Sequence, residues 1–151
     1  SYEQVAKAIL KYSINPGLDL INFFELVLFS FLTGNADMHL KNFSLIHQPE
    51  MGPVFAPAYD LVATALVNPA DEEDLALTLN GKKKKINLND FIAAFSTHGL
   101  DAKQQENIFK KMAKAKKSWL EFIDLSFLSE EMKLAYKNLV YERFARLNSI
   151  H

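Results

Sequence analysis

The sequence predicts a mainly α-helical fold with small β-hairpins, an α+β class, and three observations predict it. Apolar residues recur at helical spacing over the first third of the chain and again from residue 87 onward. Between these regions, Asn80-Gly81 separates two stretches that read as strands, a strong hairpin signal. The length of 151 residues fits one compact domain better than two. We therefore expect residues 1–151 to form a single domain.

The composition limits the classes of function. Hydrophobic residues make up 49% and charged residues 23%, which is enough for a sizeable core and excludes disorder. The net charge of -1 gives no global electrostatic case for a nucleic-acid or membrane partner. The absence of cysteine excludes disulfides, thiolate catalysis and cysteine-based metal sites. The chain opens without a basic-then-apolar leader, so a cytoplasmic location is expected.

Two helices are predicted at the start. The first covers Tyr2–Tyr12 and ends near Asn15-Pro16-Gly17. The second covers Leu18–Leu32 and ends at Thr33-Gly34, where glycine suits a left-handed cap. This second stretch is nearly all apolar but shorter than the roughly 20 residues of a membrane span. It also contains acidic residues, so it predicts a buried core helix.

Hairpins and further helices follow. One hairpin is predicted from Phe43–Ile46 and Val54–Ala56, and a second from Leu75–Leu79 and Lys82–Ile86. The part from 87 to 150 is expected to be helical throughout. Its three helices are expected to begin at caps Asn87 or Asn89, Asp101 and Ser129.

Lysines are concentrated in residues 82–85 and along the helix after Asp101. We interpret both as solvated faces, because such charge runs usually are. The alternative is a docking surface for a nucleic-acid-associated partner; direct binding of nucleic acid is not expected.

Four polar residues stand between a buried helix and an apolar strand, a position with no structural need for them: Asp37, His39, Lys41 and Asn42. Asp60 lies eighteen residues after Asn42, beyond the first predicted hairpin. Because a short hairpin returns the chain to its starting point, Asp60 is expected near Asn42.

The spacing indicates phosphoryl transfer. Asp37 and Asn42 are five residues apart, as are the base and the metal-binding Asn of the protein-kinase loop. One carboxylate must stay free of metal to orient the nucleophile, while Asn42 and Asp60 supply hard oxygen ligands for Mg²⁺. His39 is expected to brace the loop rather than carry a proton. Lys41 either neutralises the γ-phosphate or is solvated.

These residues resemble a known family. Gly34–Leu45 reads GNADMHLKNFSL and closely resembles the catalytic loop of HipA-like serine/threonine kinases, the toxins of bacterial toxin–antitoxin pairs. Ala56–Leu61 resembles the A-P-x-Y-D-L segment of that family, which replaces the D-F-G of other kinases. The likeness runs from about Leu18 to Gly99, and the last helices fit by pattern only.

The resemblance implies the C-terminal lobe of a protein-kinase-like fold, with a catalytic loop at 34–45 and a metal-binding segment at 56–61. It implies Asp37 as general base; His39 and Lys41 are included in the catalytic set from their positions in the loop. Lys41, Asn42 and Asp60 would contact the cofactors ATP and Mg²⁺, the metal being held by Asn42 and Asp60. The implied phosphate acceptor is a protein serine, with aminoacyl-tRNA synthetases as the family's substrate class. A helix-turn-helix antitoxin is the implied partner.

One departure from the family matters. Its members carry a preceding lobe with a phosphate-covering loop and an ATP-binding lysine, and only one short helix stands before Leu18 here. We therefore expect a catalytic-lobe fragment with little kinase activity alone, whose N-terminal lobe is either truncated or a separate chain.

Two alternatives stay open. A small-molecule phosphotransferase of the aminoglycoside or choline kinase type uses the same Asp, Asn and second Asp, although the residues flanking them favour the HipA-like family. The other alternative is a non-catalytic helical interaction module.

Overall fold

The computed structural model describes residues 1–68, 70 and 72–148. Over these residues the fold is mostly helical, with a small two-stranded antiparallel sheet, and the predicted class is confirmed. The helices are α1 Tyr2–Tyr12, α2 Pro16–Thr33, α3 Thr64–Val67, α4 Leu88–Thr97, α5 Ala102–Leu125 and α6 Glu130–Asn148, and the strands are β1 Leu45–Gln48 and β2 Gly52–Phe55. The helical prediction for 149–150 lies outside the described residues.

The start of α2 corrects one expectation. Asn15-Pro16-Gly17 was predicted only to end the first helix, but Pro16 is already the first residue of α2. Proline is well suited to that position, because the first amides of a helix have no intrahelical acceptor and the ring presets φ. The end of α2 is as predicted, with Gly34 in the left-handed conformation at φ 73°.

Helix α2 forms the centre of the core. Phe24 contacts Phe95 of α4 at a ring-centroid distance of 4.8 Å, and Phe31 contacts Phe91 of the same helix at 5.4 Å. Phe23 packs against the ring of Phe55 on β2 at 5.9 Å. By length and hydropathy alone α2 could cross a membrane, but 56% of that stretch is buried inside this fold. Its apolar character is therefore used in core packing.

Asp19 shows why an acidic residue stands within this apolar helix. Its carboxylate is buried and accepts hydrogen bonds from the Ser13 hydroxyl and from the backbone N–H of Phe55, the latter at 2.7 Å. A buried carboxylate is tolerated when donors surround it. Asp19 therefore fixes the end of β2 to the start of α2.

The first hairpin is confirmed with shifted bounds. Strands β1 and β2 pair from Leu45↔Phe55 to Gln48↔Gly52, so β1 starts two residues later than predicted. The pairing approaches the preceding loop, because the N–H of Ala56 donates to the carbonyl of Ser44 at 2.9 Å. The hairpin thus returns the chain to the loop that follows α2.

The predicted extent of the second hairpin is wrong. Asn80 and Gly81 form the predicted turn with positive φ, but only Leu79 and Lys82 pair across it. The Asp74 carboxylate takes the N–H of Ile86 at 2.9 Å, so a side chain replaces the strand partner that a longer ladder would need. Both strands predicted for this hairpin are therefore absent from the described chain.

The predicted helix caps are confirmed at the three C-terminal helices. Asn87, not Asn89, caps α4, and its side chain accepts from the N–H of Asn89 at 3.0 Å. Asp101 accepts from the N–H of Gln104 at 2.8 Å and caps α5. At α6 the hydroxyl of Ser129 accepts from the third helical N–H at 3.3 Å. Each cap satisfies an amide that the helix leaves unpaired.

A buried ion cluster joins α6 to residues 74–86. Asp74 is 4% exposed and contacts the guanidinium groups of Arg143 and Arg146. Arg146 also donates to the carbonyl of Ile86 at 2.7 Å. Burial by itself would raise the pKa of Asp74, but the hydrogen bonds from Arg146 and Ile86 and the two positive charges outweigh it. The pKa of Asp74 therefore lies below its ordinary value.

We expect Asp74→Asn to lower the free energy of unfolding by roughly 3 kcal/mol, because it removes the anion paired with the buried guanidinium of Arg143 and the partly buried one of Arg146. Since the folded-state pKa of Asp74 is depressed, its contribution is full above the unfolded-state pKa of about 3.9 and is lost as pH falls through the folded-state pKa. Urea unfolding of both proteins across acidic pH checks this. Asp124→Asn, which changes a half-exposed carboxylate paired with Lys137, is the control and should have little effect. If the difference in free energy of unfolding between the wild type and Asp74→Asn were unchanged at the lowest pH, the depressed pKa of Asp74 would be contradicted.

Candidate functional site

The loop after α2 starts from a crowded point. A Cβ added to Gly34 would lie 2.5 Å from Cδ2 of Leu139 on α6 and 3.2 Å from Cβ of Ala65 on α3. The carbonyl of Gly34 accepts from the N–H of Ala65 at 3.0 Å. Helices α2, α3 and α6 therefore meet at this glycine, and its position is fixed from three sides.

The backbone of Asp37 is held on both sides by buried amide side chains. Oδ1 of Asn35 accepts from the N–H of Asp37 at 3.1 Å, and Nδ2 of Asn42 donates to the carbonyl of Asp37 at 2.8 Å. Asn35 and Asn42 are 2% and 3% exposed. The side chain of Asp37, by contrast, is 46% exposed. The Asp37 carboxylate is thus exposed to solvent while its backbone is held by the two buried amides.

His39 lies beside this carboxylate. Its Nε2 is 3.3 Å from Oδ1 of Asp37, and both side chains are about half exposed. The N–H of His39 also donates to the carbonyl of Asp37 at 2.8 Å. His39 thus contacts both the carboxylate and the backbone carbonyl of Asp37.

The orientation of the Asn42 amide bears on metal binding. Residues Leu40–Asn42 form a single 3₁₀ turn, which directs the Asn42 side chain back under Asp37. A carbonyl can only accept, so the group that faces Asp37 must be the NH₂ end of the amide. The Oδ1 atom of Asn42 is therefore the end of the amide that does not bond to the Asp37 carbonyl.

Tyr59 ties the second candidate segment to the loop. Its phenol donates to the carbonyl of Lys41 at 3.1 Å and lies 3.4 Å from the hydroxyl of Ser44. Asp60 follows directly, is exposed, and adopts a positive φ of 54°. Such a conformation is uncommon for a residue other than glycine and is often found at functional positions.

The structure therefore connects the predicted residues to different degrees. Asp37, His39 and Asn42 are in direct contact, and Asp60 is linked to the loop through its neighbour Tyr59. Lys41 contributes its carbonyl to that link, and the residue is exposed. Within residues 1–68, 70 and 72–148, no group of three His, Cys, Asp or Glu could hold a metal ion. The candidate pair contains one amide and one carboxylate, so it would need phosphate or water oxygens to complete a coordination shell.

Sequence reasoning missed Tyr2. Its phenol donates to the carbonyl of Met38 at 3.2 Å, and both residues are fully buried. Burial raises the pKa of Tyr2 well above its ordinary value, although backbone hydrogen bonds at Leu77 and Ala76 act in the opposite direction. The phenol therefore remains a donor at any physiological pH. At the sequence level Tyr2 was indistinguishable from any other apolar position of α1.

Sequence reasoning also missed Thr64. Its hydroxyl accepts from the N–H of Ala36 at 2.9 Å, directly before Asp37. Thr64 stands four residues after Asp60 in a segment without hydrophobic periodicity, so no pattern singled it out.

Comparison with known proteins places these residues in a family context. The profile of the family described as "HipA-like C-terminal domain" matches residues 1–119. A Haemophilus influenzae protein named "Putative kinase" is 40% identical over 65 residues, which cover 43% of this chain and 19% of that protein. A Sinorhizobium fredii protein named "Putative kinase Y4dM" is 42% identical over 66 residues, covering 44% of this chain and 16% of that protein. Each match thus spans less than a fifth of the relative.

The fold has a solved counterpart. A chain in the Shewanella oneidensis toxin–antitoxin structure of HipA, HipB and operator DNA superposes with a TM-score of 0.83 at 24% identity. The match covers 99% of this chain and 36% of that one. At this identity the likeness establishes the fold, including the C-terminal helices that the sequence placed by pattern alone.

We expect Gly34→Ala to destabilise the protein more than Gly81→Ala does. Both glycines have positive φ, 73° and 75°, so both substitutions carry the backbone cost of about 1–2 kcal/mol. Only Gly34 lacks space, since nothing lies within 4 Å of a Cβ at Gly81. Thermal unfolding of the two variants separates the steric part from the backbone part. Adding Leu139→Ala should recover part of the loss at Gly34, and equal losses for the two glycines would contradict the convergence of three helices there.

Proposed function

The chain belongs to the HipA-like C-terminal domain family, and on that premise we propose that it is the catalytic lobe of a serine/threonine protein kinase acting as the toxin of a toxin–antitoxin pair. The observation that carries the proposal is the half-exposed carboxylate of Asp37 on a backbone held by two buried asparagines. A catalytic base needs this combination, because it must reach a substrate proton while its position stays fixed.

Asp37 is the general base in this proposal. Its carboxylate accepts the proton of a serine hydroxyl as that oxygen bonds to the γ-phosphorus of ATP and the bond to the β–γ bridging oxygen breaks, which releases ADP. His39, at 3.3 Å from the same carboxylate, restricts its rotation. The NH₂ group of Asn42 donates to the Asp37 carbonyl, so the base and the proposed metal-ligand residue are held together.

Asn42 and Asp60 fit a magnesium site by their chemistry. Both offer hard oxygen atoms, and it is the NH₂ end of the Asn42 amide, not its oxygen, that bonds to the Asp37 carbonyl. Asn42 and Asp60 would hold the Mg²⁺, which would supply positive charge to offset that of the phosphate groups. Lys41, two residues beyond His39 on the exposed side of the loop, is proposed to contact the γ-phosphate of ATP.

Partners and location are part of the same proposal. The Shewanella structure contains HipA with HipB and operator DNA, which supports a helix-turn-helix antitoxin as the partner here. The acceptor is proposed to be a serine of a cytoplasmic protein, with an aminoacyl-tRNA synthetase as the first candidate. Because the matched segments cover 19% and 36% of the Haemophilus and Shewanella chains, we propose that an N-terminal lobe supplies the rest of the ATP site. This chain alone would then have little activity.

We expect Asp37→Asn in the intact protein to reduce phosphoryl transfer by a factor on the order of 10² to 10⁴, the usual contribution of a general base. The fold should be retained, because the substitution keeps the shape of a half-exposed side chain. Transfer of labelled phosphate from ATP to a protein acceptor measures the effect, with Asp124→Asn as the matched control. Full activity of Asp37→Asn would rule out its role as base.

Nucleotide binding separates the kinase from a non-catalytic module. In the intact protein, Mg²⁺ with ATP at 100 times Kd should stabilise the fold by about 2.7 kcal/mol. Asp60→Ala should weaken the magnesium-dependent part, because it removes a carboxylate ligand. Thermal unfolding with and without Mg²⁺ measures both. If Mg²⁺ with ATP shifts the unfolding temperature of neither the wild type nor Asp60→Ala, the interaction module is favoured. Phosphorylation of an aminoglycoside or choline instead of a protein would favour the small-molecule class.

A further inference from the structure

We propose that Thr64 is a positioning residue for phosphoryl transfer: its hydroxyl couples the segment after Asp60 to the loop that carries Asp37. This inference rests on the proposed function, since it concerns the same site. It adds a residue outside the catalytic and metal-binding set, one whose hydroxyl bonds to backbone atoms of the loop.

The coupling consists of hydrogen bonds to the backbone just before Asp37. The hydroxyl of Thr64 accepts from the N–H of Ala36 at 2.9 Å and lies 3.5 Å from the carbonyl of Gly34. The next residue, Ala65, donates its N–H to the same carbonyl at 3.0 Å. Two consecutive residues of α3 thus hold two of the three residues that precede Asp37.

Helix α3 packs against α6 and against the loop after α2. The helix is only four residues long, and none of its residues is buried. Its apolar contact with the loop is the approach of Ala65 to Gly34. Polar contacts therefore act together with this packing to position α3, and Thr64 supplies the one that lies nearest to Asp37.

The same helix is connected closely to the candidate metal ligand. Only residues 61–63 separate Asp60 from Thr64, and on the other side of Asp60 the phenol of Tyr59 bonds to Lys41. Asp60 is thus attached to the loop on both sides, through Tyr59 before it and Thr64 after it. A displacement of α3 would change the backbone before Asp37 and the position of Asp60 together.

The test uses the intact protein with three variants. Thr64→Val removes the hydroxyl and keeps the shape, and Thr64→Ser restores the hydroxyl. Thr97→Val is the matched control, because that hydroxyl donates within α4 to the carbonyl of Ala93. We expect Thr64→Val to lower kcat by a factor on the order of 10 to 100, as small displacements of a catalytic group do, with KM for ATP little changed. Thr64→Ser and Thr97→Val should stay near wild type.

Amide hydrogen exchange at Ala36 gives a second measurement that does not depend on activity. Loss of protection in Thr64→Val, and its return in Thr64→Ser, is expected. If the wild type transfers no phosphate while Ala36 responds in this way, the proposed function fails and the structural coupling stands. If kcat and Ala36 exchange in Thr64→Val both match the control, the inference is overturned. Should Thr64→Val not fold, Thr64→Ala compared with Thr64→Ser decides by the same measurements.

Discussion

The hydrogen bond from the Asn42 amide to the Asp37 carbonyl is the interaction on which the candidate site depends. It sets the backbone from which the carboxylate projects, and it also fixes the orientation of the Asn42 amide. Asn35 completes the arrangement from the other side. Because both asparagines are buried, their hydrogen bonds face little competition from water. A half-exposed acid can then be held in place without being buried itself.

The rest of the fold supplies anchors for this loop. Tyr2 of α1 bonds to the carbonyl of Met38, Leu139 of α6 packs against Gly34, and Thr64 of α3 bonds to Ala36. The ion cluster around Asp74 in turn joins α6 to the turn that precedes α4. The polar groups buried in this fold thus have two tasks, to hold the helices together and to position the loop between them. The apolar core around α2 supports both sets of polar contacts.

Much of this arrangement could be predicted from residue patterns. Helical periodicity and caps located the long helices, and the five-residue spacing of Asp37 and Asn42 located the loop. The patterns did not predict what depends on tertiary contacts. Leu75–Ile86 alternates like a hairpin, yet the Asp74 carboxylate takes the backbone donor that a ladder would have used. Thr64 has no local signal, because its function arises only from a residue 28 positions earlier. Such long-range hydrogen bonds leave no periodicity in a single sequence.

The most direct measurement is a crystal structure of the intact protein with Mn²⁺ and a non-hydrolysable ATP analogue, in which anomalous scattering locates the cation. We expect the ion to coordinate Oδ1 of Asn42 and the carboxylate of Asp60, with Asp37 free of metal and facing the terminal phosphate. A cation bound elsewhere, or one coordinated by Asp37 with Asn42 turned away, would contradict the account.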